Sequence, residues 1–349
     1  MLDQKQLNHL LKKVQRLKQR DVVWAGTCRL ARMWITPKNA PPYRPYVALL
    51  LNHKNKILRT QVLEQPPTTE QLFEVLLQAM RRPMLGSDWR ACRPTSIYLD
   101  NADYVAALIP RLAELDVRCE YRTSLPAVDH ALYSMETRVG RYELLPGLLS
   151  IPSITLPFLG QLYTLTAQFY QATPWCRLND QHPFEIRYPP DSKPRYAVVM
   201  GSGGEVFGLA VYDTLDDLRL MYRRDLSPRQ TTRMATWLVL FFEEAPAMSF
   251  DDLDAMARYN WPVASEQAYP VFGRTTSKQE IVLPTAADLF WMEGALTGIL
   301  AFLSDHMQLD YGFVQPAEIT LPITTLSGKA RIYLKLPAIE ARMDDAIHI

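Results

Sequence analysis

Short apolar segments alternate along the whole chain with segments that begin in a helix-capping signal, and this alternation constrains the fold more than any other feature. Four such signals place Thr or Ser three residues before Gln or Asp, so that the first side chain can accept a hydrogen bond from the first helical turn. They begin at Thr68, Thr214, Ser249 and Thr285. Apolar runs of strand length lie between them. Strands and helices mixed in this way predict the α+β class, with mixed sheets.

In the first half, the pattern predicts a β-hairpin followed by a strand–helix–strand crossover. Tyr46–Leu51 and Ile57–Leu63 flank a polar loop, as the two strands of a hairpin do. Strands at residues 96–99 and 117–121 enclose a helix, and this spacing predicts a parallel crossover. Pro110 lies inside that helix and is expected to kink or split it.

The N-terminal residues read as a basic helix and a strand that stand apart from this domain. Leu7, Leu10, Val14 and Leu17 recur at helical spacing, which predicts an amphipathic helix over about residues 3–20. Residues 22–35 follow as one long strand or a strand pair.

In the second half, the longest predicted helix begins at the Thr285 signal and ends near His306. Its interior is so apolar that we expect it to be the core helix of a second domain with a mixed sheet. Gly294 and Gly298 would let another backbone approach it closely. A closing hairpin is predicted around residues 327–329.

The chain length of 349 residues suits two domains, since a domain usually holds about 100–200 residues. We place the boundary within residues 140–153. The division is then a basic N-terminal helix and strand region at 1–42, a first α+β domain at 43–145 and a second at 150–349.

The same sequence predicts a cytoplasmic protein with no membrane segment. Residues 144–176 carry no charge, but four prolines interrupt them, and a spanning helix needs about 20 predominantly apolar residues. The N-terminus has no apolar signal region. The four cysteines lie far apart, which indicates reduced thiols rather than a disulfide framework or zinc site.

Charge is sorted between the two halves of the chain. Residues 1–150 hold 22 Lys and Arg against 14 Asp and Glu, whereas residues 151–349 hold 16 against 23. The first 60 residues alone hold 13 basic and 2 acidic side chains. This asymmetry indicates an anionic partner for the first half, or a basic face docked on the acidic half.

Aromatic residues are interleaved with the basic residues of the first 60. Basic side chains neutralise phosphates and aromatic rings stack on bases, so this stretch is our candidate nucleic-acid interface. The candidate residues are Lys12, Lys13, Arg16, Arg20, Trp24, Arg29, Arg32, Trp34 and Arg44. No known nucleic-acid-binding motif accompanies them.

Two aspartates deserve comparison with metal-dependent nucleases. Asp100 and Asp103 follow a predicted strand, an arrangement similar to ribonuclease-H-like nucleases, in which acids at strand ends hold two metal ions. The first acid of such a site belongs on the opening strand, which we take to be residues 46–52; it contains no acid, and Asn52 and His53 lie near that place. Helix capping therefore accounts for the two aspartates. A degenerate, non-catalytic relative stays as an alternative.

No other motif predicts a catalytic residue, a metal or a cofactor. Residues 201–204 are rich in glycine but lack the Lys and Ser or Thr of a phosphate loop, so we interpret them as a hairpin turn. The acidic residues between 243 and 254 are typical of a helix start. The six histidines show no metal-ligand spacing.

Several segments resemble an uncharacterised bacterial family with two adjacent domains of unknown function. Residues 43–50 (YRPYVALL), 78–83 and 93–98 carry the resemblance for the first domain. Residues 167–175 (AQFYQATPW) and 201–209 carry it for the second. The resemblance implies no activity, and no functional residue follows from it.

These observations favour a non-enzymatic binding or interaction protein with a basic N-terminal half and an acidic C-terminal half. The first alternative is a nucleic-acid-binding protein that uses residues 1–60. The second is an enzyme whose acids meet only in the fold. The partner expected is therefore a protein or a nucleic acid.

Overall fold

A computed structural model of the chain describes residues 2–84, 90–140, 145–223, 225, 235–275 and 281–339. The chain forms two compact units, Met1–Leu144 and Leu145–Ile349. Each unit has hydrophobic clusters of its own, and both mix helices with sheet. The α+β class predicted from the sequence is confirmed.

The described residues of the first unit form a five-stranded mixed sheet and four α-helices. The strands are β1 (Gln19–Leu30), β2 (Tyr46–Leu51), β3 (Ile57–Leu63), β4 (Arg93–Leu99) and β5 (Arg118–Tyr121). The helices are α1 (Gln4–Gln15), α2 (Thr69–Arg81), α3 (Ala102–Ala113) and α4 (Pro126–Gly140). The strand order is β3-β2-β1-β4-β5.

Strand β1 lies at the centre of this sheet. It pairs antiparallel with β2 and parallel with β4, and β4 pairs parallel with β5. The hairpin and the crossover are therefore as predicted. Two expectations are wrong: the opening strand of the sheet is β1 rather than β2, and Pro110 does not interrupt α3. Residues 1–42, which we set apart in the sequence, lie within the first unit.

Helices cover both faces of the five-stranded sheet. On one face, α1, α2 and α3 pack around Trp24 and Phe73, which are fully buried. On the other face, Val128 and Leu132 of α4 pack against alternate residues of β2. The capping box at Thr68 begins α2 as its spacing predicts, and Asp3 caps α1 in the same way.

The second unit contains an eight-stranded sheet and four α-helices among its described residues. The strands of this sheet are β6 (Phe184–Arg187), β7 (Arg195–Met200), β8 (Phe207–Tyr212), β9 (Trp237–Glu243), β10 (Tyr269–Thr275), β11 (Ile281–Val282), β14 (Ala317–Thr325) and β15 (Gly328–Leu336). A separate small hairpin joins β12 (Leu309–Asp310) to β13 (Phe313–Val314). The helices are α5 (Leu156–Gln171), α6 (Leu215–Met221), α7 (Phe250–Tyr259) and α8 (Ala286–Asp305).

The eight strands run in the order β11-β10-β9-β8-β7-β6-β15-β14. Every described pair is antiparallel, where the sequence led us to expect a mixed sheet. Short connections join β6 to β7, β7 to β8 and β14 to β15, and a parallel pair would require a longer crossover. Three short 3₁₀ turns, Leu148–Ser150, Pro174–Cys176 and Ala245–Ala247, complete the unit.

Helix α8 is the core helix of the second unit, as predicted. It is the one described helix with the length and hydropathy of a membrane span, but 67% of that apolar window is buried inside the structure. The close approaches at its glycines come from side chains rather than from another backbone. A Cβ on Gly294 would lie 2.4 Å from the ring of Tyr188, and one on Gly298 would lie 2.8 Å from Ile332.

We expect Gly294→Ala to destabilise the second unit by about 1–3 kcal/mol, because the added methyl group would overlap a packed aromatic ring. Urea denaturation measures the effect. Gly203→Ala is the matched control, since no atom lies within 4 Å of a Cβ at that position. Equal stabilities of the two variants would contradict this account of the packing.

Candidate functional site

The basic residues at the end of α1 lie on the surface of the first unit. Leu7 and Val14 are buried, so the side of the helix that carries them packs against the core. Lys12, Lys13 and Arg16 are exposed on the rest of it. None of the three forms an ion pair with another described residue, so their charges are available to solvent or to an anion.

Four other candidates of the nucleic-acid interface lie along or after β1. Arg20 is exposed, whereas Arg32, Trp34 and Arg44 are half-buried. The guanidinium of Arg44 donates from Nε to the carbonyl of Ala31 at 3.1 Å. Arg44 therefore helps to hold the connection between β1 and β2.

Trp24 is not available for base stacking. It is one of the largest fully buried side chains and lies in the cluster beneath α1, α2 and α3. The sequence interpretation of Trp24 as an interface residue is wrong, because alternate side chains of a central strand face the core.

Arg29 links two carboxylates at the carboxyl end of the parallel strands. Its Nη2 donates to Oδ1 of Asp129 at 2.8 Å, and its Nη1 lies 3.9 Å from Oδ2 of Asp100. Asp100 follows β4 and Asp129 lies in the first turn of α4. The charge of Arg29 is thus compensated by carboxylates of the same unit, and Arg29 is less suited to bind a phosphate than an unpaired arginine.

The same edge of the sheet lacks the acid that a two-metal site requires. The residue of β1 that faces Asp100 is Thr27, whose hydroxyl donates to Oδ2 of Asp100 at 2.8 Å. Asp103 is exposed in the first turn of α3. Among the described residues, no three His, Cys, Asp or Glu side chains are grouped as metal ligands would be.

A small cavity lies behind this pair, at the switch point where ligands bind in many open sheets. Thr27, Cys28, Asp100 and Tyr104 line its polar side. Its volume is about 20 Å³, which holds about one water molecule. Burial, with a smaller contribution from Asp100, raises the pKa of the Cys28 thiol to about 12, so this cysteine is a poor nucleophile.

A basic groove gathers cations that the sequence interpretation did not connect. Lys13 of α1, Arg59 of β3, and Arg81 and Arg82 at the end of α2 line it together. Of these four residues, only Lys13 was among the candidates. Arg81 and Arg82 lie up to 69 positions away, outside the first 60 residues to which we had confined the interface, whereas Arg59 lies within that stretch but was not among the candidates. The adjacent arginines at the end of a predicted helix were the signal available in the sequence.

In the second unit, four charged side chains pair with one another. Arg195 and Arg274 both bind Asp213 and Asp288, and the contact between Arg274 and Asp213 is the closest of them. Asp288 also completes the capping box with Thr285 at the start of α8. This network anchors the core helix to the sheet, and its charges balance.

The glycine-rich segment at 201–204 is the turn between β7 and β8, as predicted. Gly201 and Gly204 both have positive φ, which L side chains adopt rarely. In the acidic segment, Asp252 is buried and accepts hydrogen bonds from the Leu148 backbone N–H at 2.8 Å and the Ser249 hydroxyl at 2.9 Å. Burial raises the pKa of Asp252 to about 6.

The fold and these surfaces define a two-unit α+β chain with a basic first unit and an acidic second unit. Residues 10–136 match the family described as "Domain of unknown function (DUF6930)". Residues 160–312 match "Domain of unknown function (DUF7309)". The chain therefore belongs to the proteins that carry these two domains of unknown function side by side. No curated protein matches it.

Two solved structures show a distant likeness. One is the HTLV-2 integrase catalytic core domain in complex with magnesium, at 14% identity and a TM-score of 0.26, over 41% of this chain and 82% of that chain. The other comes from the simian T-cell lymphotropic virus intasome in complex with PP2A regulatory subunit B56 gamma, at 14% identity and a TM-score of 0.22, over 59% and 81%.

We expect the stability of the second unit to depend on the titration of Asp252. Because its pKa in the folded state lies above the ordinary value of 3.8, the folded protein binds this proton more tightly than the unfolded chain does. The contribution of Asp252 to stability is therefore lowest above about pH 6 and rises as the pH falls towards 4. Asp252→Asn keeps an acceptor for Leu148 but removes the titration.

Urea denaturation at several pH values between 4 and 8 tests this. The stability of wild type relative to Asp252→Asn should fall with rising pH, by up to about 3 kcal/mol. A difference that does not change with pH would contradict the burial of an ionisable carboxyl.

We expect Trp24→Ala to destabilise the first unit by about 3–5 kcal/mol, because it leaves a large cavity in a packed core. Trp24→Phe should cost less, since most of the ring volume is kept. Thermal denaturation followed by circular dichroism compares the two variants. A Trp24→Ala variant as stable as wild type would contradict the burial of Trp24. The prediction that Trp24 stacks on nucleic-acid bases would then stand again.

Proposed function

We propose that this chain is a non-enzymatic binding protein whose first unit binds the phosphate backbone of a nucleic acid. The observation that carries the proposal is the uncompensated positive charge on α1. Lys12, Lys13 and Arg16 stand exposed on one short helix and make no ion pair with a described residue. Cations arranged in this way gain free energy by replacing the counterions of a polyanion.

The carboxyl end of β1 and β4 supports a role without catalysis. Asp100 is engaged by the Thr27 hydroxyl at 2.8 Å and lies beside Arg29, which also binds Asp129. A guanidinium between two carboxylates competes with any metal ion for the same oxygens. We therefore propose the first unit as a degenerate ribonuclease-H-like domain: a hairpin and parallel strands with an acid after β4, but Thr27 in place of an acid on β1.

We propose the bacterial cytoplasm as the place of this function. Burial raises the pKa of the Cys28 thiol to about 12 and that of the Cys119 thiol to about 11, so both stay protonated. Protonated thiols suit a reducing compartment.

The full chain should bind duplex DNA, single-stranded DNA and RNA at low salt and lose affinity steeply as salt rises. Fluorescence anisotropy with labelled strands of about 20 nucleotides, at about 50–200 mM KCl, measures this. If six phosphates are neutralised, the affinity should fall by about 10³ over that range.

Absence of binding at about 50 mM salt would contradict the proposal. It would favour the alternative in which the basic surface is occupied by an acidic protein partner or by the chain's own acidic unit. Binding that does not weaken with salt would also contradict it, because phosphate neutralisation would then not be the source of the affinity.

A further inference from the structure

A concave groove on the first unit concentrates positive charge beyond what α1 alone provides. Residues of α1, β3 and the end of α2 form its walls, and its volume is about 430 Å³. Lys13, Arg59, Arg81 and Arg82 bring four permanent cations to it, and none of the described residues that line it is Asp or Glu. Three separate elements of the fold therefore direct cations into one concave surface, unlike lysines distributed over an exposed surface.

Within the described part of the first unit, none of these four cations has a carboxylate partner. The ion pairs found there use other arginines, namely Arg29, Arg93 and Arg122. A protein that used these groove cations for stability would pair at least some of them. Their unpaired state leaves the full charge for a ligand.

Arg59 is held in position by a chain of polar contacts. Its Nη2 donates to Oε1 of Gln78, and Nε2 of Gln78 donates to Oε1 of Glu74 at 2.6 Å. The Nε–H of Arg59 is buried and has no acceptor among the described residues. A buried donor without an acceptor costs free energy, and an arginine fork is suited to take phosphate oxygens.

Helix dipoles explain only part of this arrangement. Lys13 and Arg81 lie in the last turns of α1 and α2, where cations offset the partial negative charge of a helix end. Arg59 lies on a strand, however, and the dipole gives no reason for all three elements to aim their cations at one cleft.

We propose that this groove is the docking site for the backbone phosphates of a nucleic acid. The inference rests on the proposed function and names the surface that performs it. Exposed cations of α1, such as Lys12 and Arg16, extend the positive surface beyond the groove, as a polymer of phosphates requires and a single small anion does not. Among the described lining residues the one aromatic side chain is His9, and none is Trp, Tyr or Phe, so we expect contacts with phosphates, which carry no base sequence, to dominate there.

A matched pair of double variants tests the groove in the full chain. Arg81→Gln with Arg82→Gln removes two groove cations. Arg118→Gln with Arg138→Gln removes two exposed cations elsewhere in the same unit. Arg118 lies on β5, at the sheet edge opposite β3, and Arg138 lies on α4, on the other face of the sheet. Both variants change the net charge equally.

For a labelled duplex, the groove variant should weaken binding about tenfold or more at about 100 mM salt and reduce the slope of log K against log salt by about 2. The control variant should change the affinity by less than about threefold. Affinities for duplexes of unrelated sequence should fall by the same factor. Arg81→Lys with Arg82→Lys should restore most of the affinity, because the charge is kept.

The outcomes separate this inference from the proposed function. If wild type binds and both double variants lose affinity equally, net charge alone drives binding and the groove proposal is overturned, while the function stands. If wild type does not bind the duplex, both the proposed function and the groove inference are contradicted. Because Arg81 is half-buried, circular dichroism checks folding, and the exposed Arg82→Gln single variant should still lower the slope by about 1.

Discussion

The first unit depends on the position of β1 between β2 and β4. This one strand joins the antiparallel hairpin to the parallel crossover, and Trp24 on its covered face lies at the centre of the core. Since α1 immediately precedes β1, it must pack on the adjacent face beside α2. The cations at the end of α1 are thereby brought to those at the end of α2, although more than 60 positions separate them in the chain. The proposed interface follows from the placement of this strand.

The sequence predicts local elements well and the arrangement of the first unit poorly. The capping signals at Thr68, Thr214, Ser249 and Thr285 each begin a helix, because a cap is satisfied by residues three positions away. Setting residues 1–42 apart hid the central role of β1, since strand pairing across about 70 residues leaves no local signal. Trp24 was misjudged for the same reason. The groove escaped prediction because its cations come from three separate elements.

Opposite charges are also sorted between the units, and the sorting has different consequences in each. The half-buried Arg195 and Arg274 of the second unit pair with aspartates and anchor α8. In the first unit, Arg29 is used in this way at the carboxyl end of the parallel strands, where Thr27 lies beside Asp100. Lys12, Lys13 and Arg16, and the groove residues Arg59, Arg81 and Arg82, make no such pair with any residue that the structure describes. These cations can therefore form ion pairs with an anionic partner, and the free energy gained on doing so is the physical basis of the proposed function.

Hydrogen–deuterium exchange of the full chain, with and without a saturating DNA duplex, tests the central claim most directly. Backbone amides around residues 4–15, 57–63 and 69–81 surround the groove and should exchange more slowly in the complex. Amides of β5, of the exposed side of α4 and of residues 145–339 should exchange at unchanged rates. Protection centred on the second unit, or on the edge that carries Asp100, would contradict the account.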